Sequence, residues 1–353
     1  MPVELLLPPG SVLGWQPTEP FRPARGIVSG HAQTIFAHFA RSARAPACTR
    51  ERWDTPDGDF IDVDILAAPP GAPRVLILHG LEGSSRSGYV ASVLRLCRAR
   101  GWGAVALNLR SCSGEPNRLP AAYHAGDTRD VTFALAELQR RGEGPLLAVG
   151  FSLGASMLLT HLGDTRECSP LVAAAVVSAP FDLAAGVSAV DTGRGPTALY
   201  RRRFLRRLRK KGLAKARTHP GLLDRRRVRK ARSLLEFDEA VTARLFDFTG
   251  AADYYARCSA IAALPNVRRP TLLLSAADDP LVPGRTVPVT VARANPYLEL
   301  LLTDHGGHVG FVGGTMLRPR YWAEQQVVSF FAHALAASVG AAALLDVAAA
   351  APG

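Results

Sequence analysis

The chain has few cysteines, and nothing in their spacing pairs them. Its 353 residues contain five, at positions 48, 97, 112, 168 and 258, an odd number without a Cys-x-x-Cys pair. This pattern argues against a disulfide-stapled scaffold and against a zinc site. We therefore expect a reducing, cytoplasmic environment, and no metal or organic cofactor.

Long apolar runs are scarce as well. The start of the chain, residues 1–9, has no basic lead and only a three-residue apolar run between prolines, so no secretory signal is expected. The longest apolar tract, residues 332–352, is mostly alanine and contains Asp346. It is a poor candidate for a membrane span, and we expect a helix that frays into a tail.

Acidic residues are outnumbered, with 30 against 42 basic ones, for a net charge of +12. The excess is confined to one segment. Residues 194–232 hold seventeen Lys or Arg and a single acid, Asp224, which gives this segment +16 and leaves −4 for the rest of the chain. Nucleic-acid binding is therefore disfavoured, and no known DNA- or RNA-binding module is present.

The hydrophobic pattern alternates between short buried runs and helical periodicity. This alternation predicts an α/β fold, with a mostly parallel sheet covered by helices on both faces. We expect one domain over 1–353. Strands are predicted at 74–78, 102–109, around 146–151, 173–178, 270–275 and 297–302, and helices at 88–100, 127–141, after residue 152, and at 320–336.

The segment at about 184–264 has no strand pattern. It contains the basic run and helical stretches at 234–248 and 251–263. Ligands of open α/β sheets bind at the carboxyl ends of the strands, and an insertion after a strand would lie over that edge. We interpret the segment as a helical, basic cap above the ligand site.

The sequence Gly150-Phe151-Ser152-Leu153-Gly154 follows the buried strand at 146–151 and precedes a helical run. In this strand–turn–helix context the turn is so tight that the flanking positions must lack a Cβ, and the central serine is exposed as a nucleophile. An ordinary turn with a serine cap is the alternative. We favour catalysis by Ser152.

A serine nucleophile needs a base and an acid, and both follow in the order expected. Asp278 and Asp279 end the strand at 270–275, and His305 and His308 lie in a glycine-rich loop after the last strand. Asp279 is favoured over Asp278 because of its Asp-x-x-Val spacing. His308 is favoured over His305 because it lies deeper in the loop.

The oxyanion formed in such a reaction requires backbone amides as donors. We expect one from Leu153, next to the nucleophile, and one from Leu81 in the loop that follows the strand at 74–78. In that loop, His79 is expected to be structural. Glu82 is expected to anchor the loop, by a contact with an arginine.

Several segments together resemble the YheT-like branch of the α/β-hydrolases, a group related to animal phospholipase- and acylglycerol-lipase-like proteins. The resemblance runs from about residue 26 to 325. The matching segments are 30–34 (GHAQT), 79–84 (HGLEGS), 110–117 (RSCSGEPN), 123–128 (YHAGDT), 150–154 (GFSLG), 178–181 (SAPF), 253–255 (DYY), 278–280 (DDP) and 306–310 with Phe311 (GGHVGF).

This resemblance implies a serine hydrolase that acts on carboxylic esters, with Ser152, Asp279 and His308 at the positions of its triad. The chain departs from the family pattern at Ser111, where glycine is expected, and at Asp247, where the cap motif often has Gly or Asn. Neither departure touches the triad. We expect a small-molecule or lipid ester as substrate, and the acyl chain, the alcohol and the oligomeric state stay open.

The basic run contains an apolar stripe at Tyr200, Phe204, Leu205 and Leu208. A cap helix docked by this stripe is the simplest interpretation. A basic amphipathic helix on an anionic membrane surface is the next, and would suit a lipid esterase. Two further alternatives for the whole protein are an acyltransferase that uses the same acyl-enzyme, and a weakly catalytic scaffold that binds lipid or another polyanion.

Overall fold

A computed structural model describes residues 4–142 and 144–349, with side chains through residue 340. Residues 1–3, 143 and 350–353 of the predicted domain, which include the end of the predicted C-terminal tail, lie outside the described residues. The strands are β1 Glu4–Leu6, β2 Thr49–Asp54, β3 Phe60–Leu66, β4 Arg74–Leu78, β5 Gly103–Asn108, β6 Leu146–Phe151, β7 Leu171–Val177, β8 Thr271–Ala276, β9 Leu298–Thr303, β10 Val312–Gly314 and β11 Pro319–Tyr321.

The helices are interspersed with the strands in alternating order. They are α1 Gly30–Ala40, α2 Gly88–Ala99, α3 Arg129–Arg140, α4 Leu153–Thr165, α5 Leu183–Thr192, α6 Pro196–Thr218, α7 Arg225–Lys230, α8 Leu234–Phe237, α9 Ala243–Leu245, α10 Ala251–Cys258, α11 Val289–Ala294 and α12 Trp322–Ala349. Short 3₁₀ turns occur at Arg166–Cys168, Ala260–Ala262, Leu264–Asn266 and Gly284–Thr286, and a π-helical turn at Asp238–Thr242.

Nine strands form one sheet in the order β1-β9-β8-β7-β6-β4-β5-β3-β2. The six strands from β9 to β5 are parallel, whereas β1, β2 and β3 join antiparallel at the two edges. The predicted mostly parallel sheet is confirmed. The three antiparallel strands, the β10–β11 hairpin and helix α1 were not predicted.

The central strands are buried on both faces because helices cover the sheet on both sides. Along β4, Leu76 and Leu78 pack on the side of α3 and α4. Val75 and Ile77 point the opposite way, into the layer formed by α2 and α12. This alternation is the period of two that a strand imposes on its side chains. Each such buried side chain contributes about 1.5–3 kcal/mol to stability.

Between β7 and β8, the described residues 184–264 contain helices, helical turns and loops but no strand. They build a core of their own, in which Leu205 of α6 packs with Val228, Phe237 and Val241. The stretch predicted as one helix over 234–248 is interrupted by the π-helical turn, and it ends where Asp247 adopts a positive φ of 55°.

Among the helices of residues 4–142 and 144–349, none is long and apolar enough to cross a membrane.

Candidate active site

Ser152 lies at the sharp turn between β6 and α4, with φ 53° and ψ −121°. A Cβ on Gly150 would lie 2.5 Å from the carbonyl oxygen of Gly154, and one on Gly154 would lie 2.5 Å from that of His79. Only glycine fits at either position, as the sequence predicts. The turn therefore holds a serine in a left-handed conformation that is rare for residues with a side chain.

The parallel strands bring the loops after β4, β6, β8 and β9 to one edge of the sheet. There His308 Nε2 lies 2.8 Å from Ser152 Oγ, and His308 Nδ1 lies 2.9 Å from Asp279 Oδ2. The other Asp279 oxygen accepts hydrogen bonds from the amides of Leu281 and Val282, at 2.8 and 3.0 Å. These bonds fix the carboxylate, and its side chain is only 2% exposed.

The alternative residues form a separate pair. His305 Nδ1 lies 3.3 Å from Asp278 Oδ2, and the side chain of His305 is 44% exposed. Asp278 Oδ1 accepts a hydrogen bond from the amide of Gly307 at 2.9 Å. The structure thus brings Ser152 together with His308 and Asp279, while Asp278 braces the loop that carries His308.

The hydrogen-bond partners assign the protons of His308. A carboxylate can only accept, so Nδ1 carries the proton toward Asp279. Nε2 is then an acceptor for the Ser152 hydroxyl proton. His308 thus lies within hydrogen-bonding distance of both a hydroxyl nucleophile, Ser152, and an orienting acid, Asp279. A base held in this way is able to take the proton of the serine.

Helix α1 supports the His308 loop. The amide of His308 donates to Thr34 Oγ1 at 2.9 Å, and Arg41 Nη2 donates to the carbonyls of Val309 and Gly310 at 2.9 and 2.8 Å. A Cβ on Gly307 would lie 2.2 Å from the carbonyl oxygen of Gly30. The residues of the motif at 30–34 therefore help to position the loop of His308, a role that the spacing of the motifs in the sequence did not indicate.

His79 anchors the loop after β4 from inside the core. Its Nδ1 donates to the carbonyl of Gly80 at 2.8 Å, and its Nε2 accepts from the amide of Leu109 at 3.1 Å. Complete burial lowers its pKa to about 4, so the ring is neutral at pH 7. His79 is thus a structural residue, and its bonds set the course of the chain at Gly80 and Leu81.

This loop passes close to the nucleophile. A Cβ on Gly80 would lie 2.9 Å from Ser152 Cβ. Within residues 4–142 and 144–349, neither the amide of Leu81 nor that of Leu153 has a hydrogen-bond acceptor. No group in these ranges therefore occupies either of the two amides predicted as oxyanion donors.

Glu82 connects the same loop to the helical insertion at residues 184–264, called the cap segment from here on. Its carboxylate accepts from Lys211 Nζ at 2.8 Å and from the Tyr123 hydroxyl at 3.0 Å. Arg207 Nη1 donates to the Glu82 carbonyl at 2.7 Å. Glu82 anchors the loop as expected, but its ion pair is with a lysine, and the arginine bonds its backbone instead.

The basic helix α6 has three faces with different roles. Arg207, Lys211 and Lys215, spaced four residues apart, contact the loops of the sheet domain, with Lys215 Nζ donating to the carbonyl of Asn117 at 2.9 Å. The predicted apolar stripe packs into the core of the cap segment. The third face is exposed and cationic, and consists of Arg202, Arg203, Arg206 and Lys210.

Both departures from the family pattern have a positive φ. Ser111 has φ 61° and Asp247 has φ 55°. These are left-handed conformations that glycine and asparagine adopt most easily, which explains why such residues are expected there. Ser111 is accommodated by reciprocal hydrogen bonds with Asn117.

Across the described ranges 4–142 and 144–349, no three His, Cys, Asp or Glu side chains are grouped so as to hold a metal ion.

Comparison with known proteins agrees with this architecture. Residues 75–325 match the model of the alpha/beta hydrolase family. A protein of Escherichia coli (strain K12) named "Putative esterase YheT" is 38% identical over 313 residues, or 87% of this chain and 91% of that protein. Mouse "Phospholipase ABHD3" is 30% identical and covers 84% of this chain and 74% of its own length.

A third relative comes from yeast, Saccharomyces cerevisiae (strain ATCC 204508 / S288c). It is named "Medium-chain fatty acid ethyl ester synthase/esterase 2", and is 31% identical over 73% of this chain and 62% of its own length. The chain belongs to the α/β-hydrolase family. Within that family it falls in the YheT-like branch, as its sequence motifs predict. The names of its relatives support ester hydrolysis as its general activity.

Proposed function

We propose that this protein is a serine hydrolase that cleaves carboxylic esters through an acyl-enzyme on Ser152. The observation that carries the proposal is the bonded series of Ser152 Oγ, His308 and Asp279, with distances of 2.8 and 2.9 Å. The same chemistry recurs on unrelated folds wherever these three groups have this geometry.

In the first half-reaction, Ser152 Oγ attacks the ester carbonyl carbon while His308 Nε2 takes the hydroxyl proton. The carbonyl electron pair moves onto oxygen, which the amides of Leu81 and Leu153 stabilise. When the tetrahedral intermediate collapses, the alcohol leaves with the proton from His308. Asp279 keeps the ring oriented and stabilises its transient positive charge.

In the second half-reaction, water attacks the acyl carbon and passes a proton to His308 Nε2. Collapse of the second intermediate releases the carboxylic acid, and Ser152 Oγ recovers its proton from His308. No metal or organic cofactor takes part in these steps. Each oxyanion amide is expected to contribute about 10²–10³ in rate.

We further propose an acyl ester with an apolar chain, such as a lipid-derived ester, as the substrate class. The side chain of Leu153, next to the nucleophile, packs against a buried apolar cluster that contains Leu183 and Tyr254, and Val187 and Phe248 pack against the same cluster. Apolar side chains thus lie beside Leu153, the residue that follows the nucleophile, and would favour a hydrocarbon chain. The names of the mouse phospholipase and of the yeast fatty acid ethyl ester protein agree with this class.

An acyltransferase is the second candidate, since an alcohol in place of water would give a new ester from the same acyl-enzyme. The name of the yeast relative, which joins synthase and esterase, favours it. A weakly catalytic scaffold that binds lipid or another polyanion is the third candidate, and the complete bonded series at Ser152 argues against it. The cytoplasm stays our predicted location, from the cysteine pattern.

The test compares wild type, Ser152→Ala and the control Ser188→Ala, a serine exposed on α5. Wild type and Ser188→Ala should react with a fluorophosphonate probe and hydrolyse chromogenic acyl esters, and Ser152→Ala should do neither. Undiminished hydrolysis by Ser152→Ala would refute the proposal. Adding ethanol to the assay and measuring ethyl ester formation against free acid separates acyl transfer from hydrolysis.

A further inference from the structure

The tip of the β10–β11 hairpin carries two apolar side chains in a position where turns are normally polar. Met316 and Leu317 are the central residues of a turn closed by reciprocal backbone bonds between Thr315 and Arg318, at 3.2 and 3.1 Å. Met316 is 57% exposed and Leu317 is 95% exposed. Turn tips favour Gly, Pro, Asn, Asp and Ser, so this dipeptide is not explained by the turn itself.

Helix α1 adds further apolar side chains beside this tip. Phe39 is 77% exposed, and Ile35, one turn earlier on the same face, is 36% exposed. Between the helix and the hairpin lies an open groove of about 540 Å³, which Ile35, Phe36, Phe39 and Met316 line. Single exposed apolar residues are common, but a contiguous patch such as this one marks an interaction site.

Basic residues lie next to the apolar patch. Arg318 follows Leu317 at the hairpin tip, and Arg25 precedes Gly26, where an added Cβ would lie 4.0 Å from Met316 Sδ. Arg22, Arg25 and Arg318 are exposed, and none forms an ion pair with an acid in residues 4–142 and 144–340. The nearby Arg320 lies 3.8 Å from Glu19, an acid on this surface. The patch therefore combines apolar side chains with positive charges of which most are unpaired.

The cationic face of α6 continues this surface. The ring of His31 on α1 lies 5.9 Å from that of Tyr200 on α6. His31 Nδ1 also lies 3.5 Å from the Tyr200 hydroxyl, so α1 and α6 are in contact. Burial lowers the pKa of His38 on α1, and the positive charges of Arg203 and Arg207 on α6 lower it further. The exposed face of Arg202, Arg203, Arg206 and Lys210 thus extends the basic rim of the patch.

We propose that the α1–hairpin patch docks this protein on a bilayer that contains anionic lipid. Phe39, Met316 and Leu317 would enter the interfacial region, while the arginines around them and the exposed face of α6 would contact the headgroups. A surface with protruding apolar side chains and a cationic rim has the chemistry that an anionic bilayer selects.

This proposal differs from the sequence-based alternative, in which α6 itself is an amphipathic helix that lies on the membrane. The apolar stripe of α6 is packed inside the cap segment and is not free to insert. Helix α6 can therefore only attract the protein to anionic headgroups, and the side chains that insert into the bilayer would be those of α1 and the hairpin. Because Thr34 of α1 bonds the amide of His308, docking by this patch places the site at Ser152 near the bilayer surface.

This inference rests on the proposed ester hydrolysis only in explaining why the protein would bind a membrane. Binding itself is measured without substrate turnover. The experiment is flotation of the full chain with vesicles of phosphatidylcholine alone and of phosphatidylcholine with 30% phosphatidylglycerol as a chosen probe. Wild type should float with the anionic vesicles, and much less at high salt, where Coulomb attraction is screened. Met316→Glu/Leu317→Glu should reduce the vesicle-bound fraction by about tenfold or more.

Val339→Glu is the matched control, because Val339 is a 68% exposed apolar residue on α12. It should bind as wild type does. Hydrolysis of a short, water-soluble ester should be the same in all three proteins, so a loss of binding cannot be confused with failure at Ser152. Equal flotation of wild type and the hairpin variant would overturn the proposal, as would equal binding of wild type to neutral and to anionic vesicles.

A dimer would also overturn it. If wild type forms a concentration-dependent dimer, does not bind vesicles, and loses the dimer in the hairpin variant, the patch binds a second copy of the chain.

Discussion

Lys211 Nζ lies 2.8 Å from Glu82 Oε1, and this ion pair joins helix α6 of the cap segment to the loop that contains Leu81. The Glu82 side chain is only 4% exposed. Glu82 has φ 56°, so the loop is held in a conformation that is unfavourable for a residue with a side chain. We therefore propose that the cap segment helps to position the loop of Leu81.

Replacing Lys211 with methionine should lower kcat by about tenfold or more, with a much smaller change in KM. The reason is that a buried carboxylate without its cation is strongly unfavourable, and the loop is expected to move so that Glu82 reaches water. The measurement is steady-state hydrolysis of a soluble acyl ester.

Two further variants define the cause of this effect. Lys210→Met removes an exposed lysine from the same helix and should leave kcat unchanged. Glu82→Gln/Lys211→Met removes both charges and should recover most of the lost activity. If the double variant is no better than Lys211→Met, the ion pair does not position the loop.

Asp279→Asn should lower kcat on the order of 10³–10⁴, because an amide cannot hold His308 in the required tautomer. Asp278→Asn should lower it less than about tenfold, because the asparagine oxygen still accepts the Gly307 amide. The same soluble-ester assay compares the two variants. A larger effect at Asp278 would exchange the roles of the two carboxylates.

Gly30→Ala should reduce both stability and activity. An added Cβ would lie 1.9 Å from the carbonyl oxygen of Asp278, so α1 or the acid loop must shift. Such overpacking typically costs about 1–3 kcal/mol, which denaturant unfolding measures. Gly340 of α12 is the control, because a Cβ there meets nothing within 4 Å, and Gly340→Ala should be neutral or stabilising by about 0.5–1 kcal/mol. Equal unfolding free energies for the two variants would show that α1 does not press on the acid loop.

Stability should fall as the pH decreases from 6.5 to 4, with His161 as one cause. Burial lowers the pKa of His161 to about 4, and its Nε2 has no hydrogen-bond partner in the described part of the chain. The unfolded chain binds a proton near pH 6.5, so this contribution is complete above that pH and is lost as the pH falls to 4. The difference amounts to about 3 kcal/mol.

His161→Leu should therefore flatten the acid limb of the unfolding free energy by about this amount. His79 and His124, whose pKa values are also lowered to about 4, stay in both proteins and cancel in the comparison. His333→Leu, a change at an exposed position, is the control. Parallel acid limbs for wild type and His161→Leu would contradict the expected role of burial.

The sequence predicted the central strands well because parallel strands are buried on both faces and read as continuous apolar runs. It did not reveal β2, whose Arg50 and Arg52 lie opposite Asp64 and Asp62 of β3. These ion pairs replace the apolar alternation by which an edge strand is normally found. Helix α1 was missed as well, although its motif was among those that carried the family resemblance.

The pattern at residues 150–154 was legible in the sequence, but only the requirement for Gly150 is local, because an added Cβ there would meet Gly154 and Ala155. Gly154 is required by the carbonyl oxygens of Leu78 and His79, which the neighbouring strand brings to the turn. The order of Ser152, the acidic pair and the histidine loop was also legible in the chain. Only the tertiary structure decided which histidine contacts Ser152 and which aspartate contacts that histidine. Asp278 and Asp279 are adjacent in sequence, but Asp279 lies against His308 and Asp278 against His305. The tertiary structure also decided the roles of the basic residues of α6. Arg207, Lys211 and Lys215 contact the loops of Glu82 and Asn117, whereas Arg202, Arg206 and Lys210 face solvent, because the helix docks on the loops by one face.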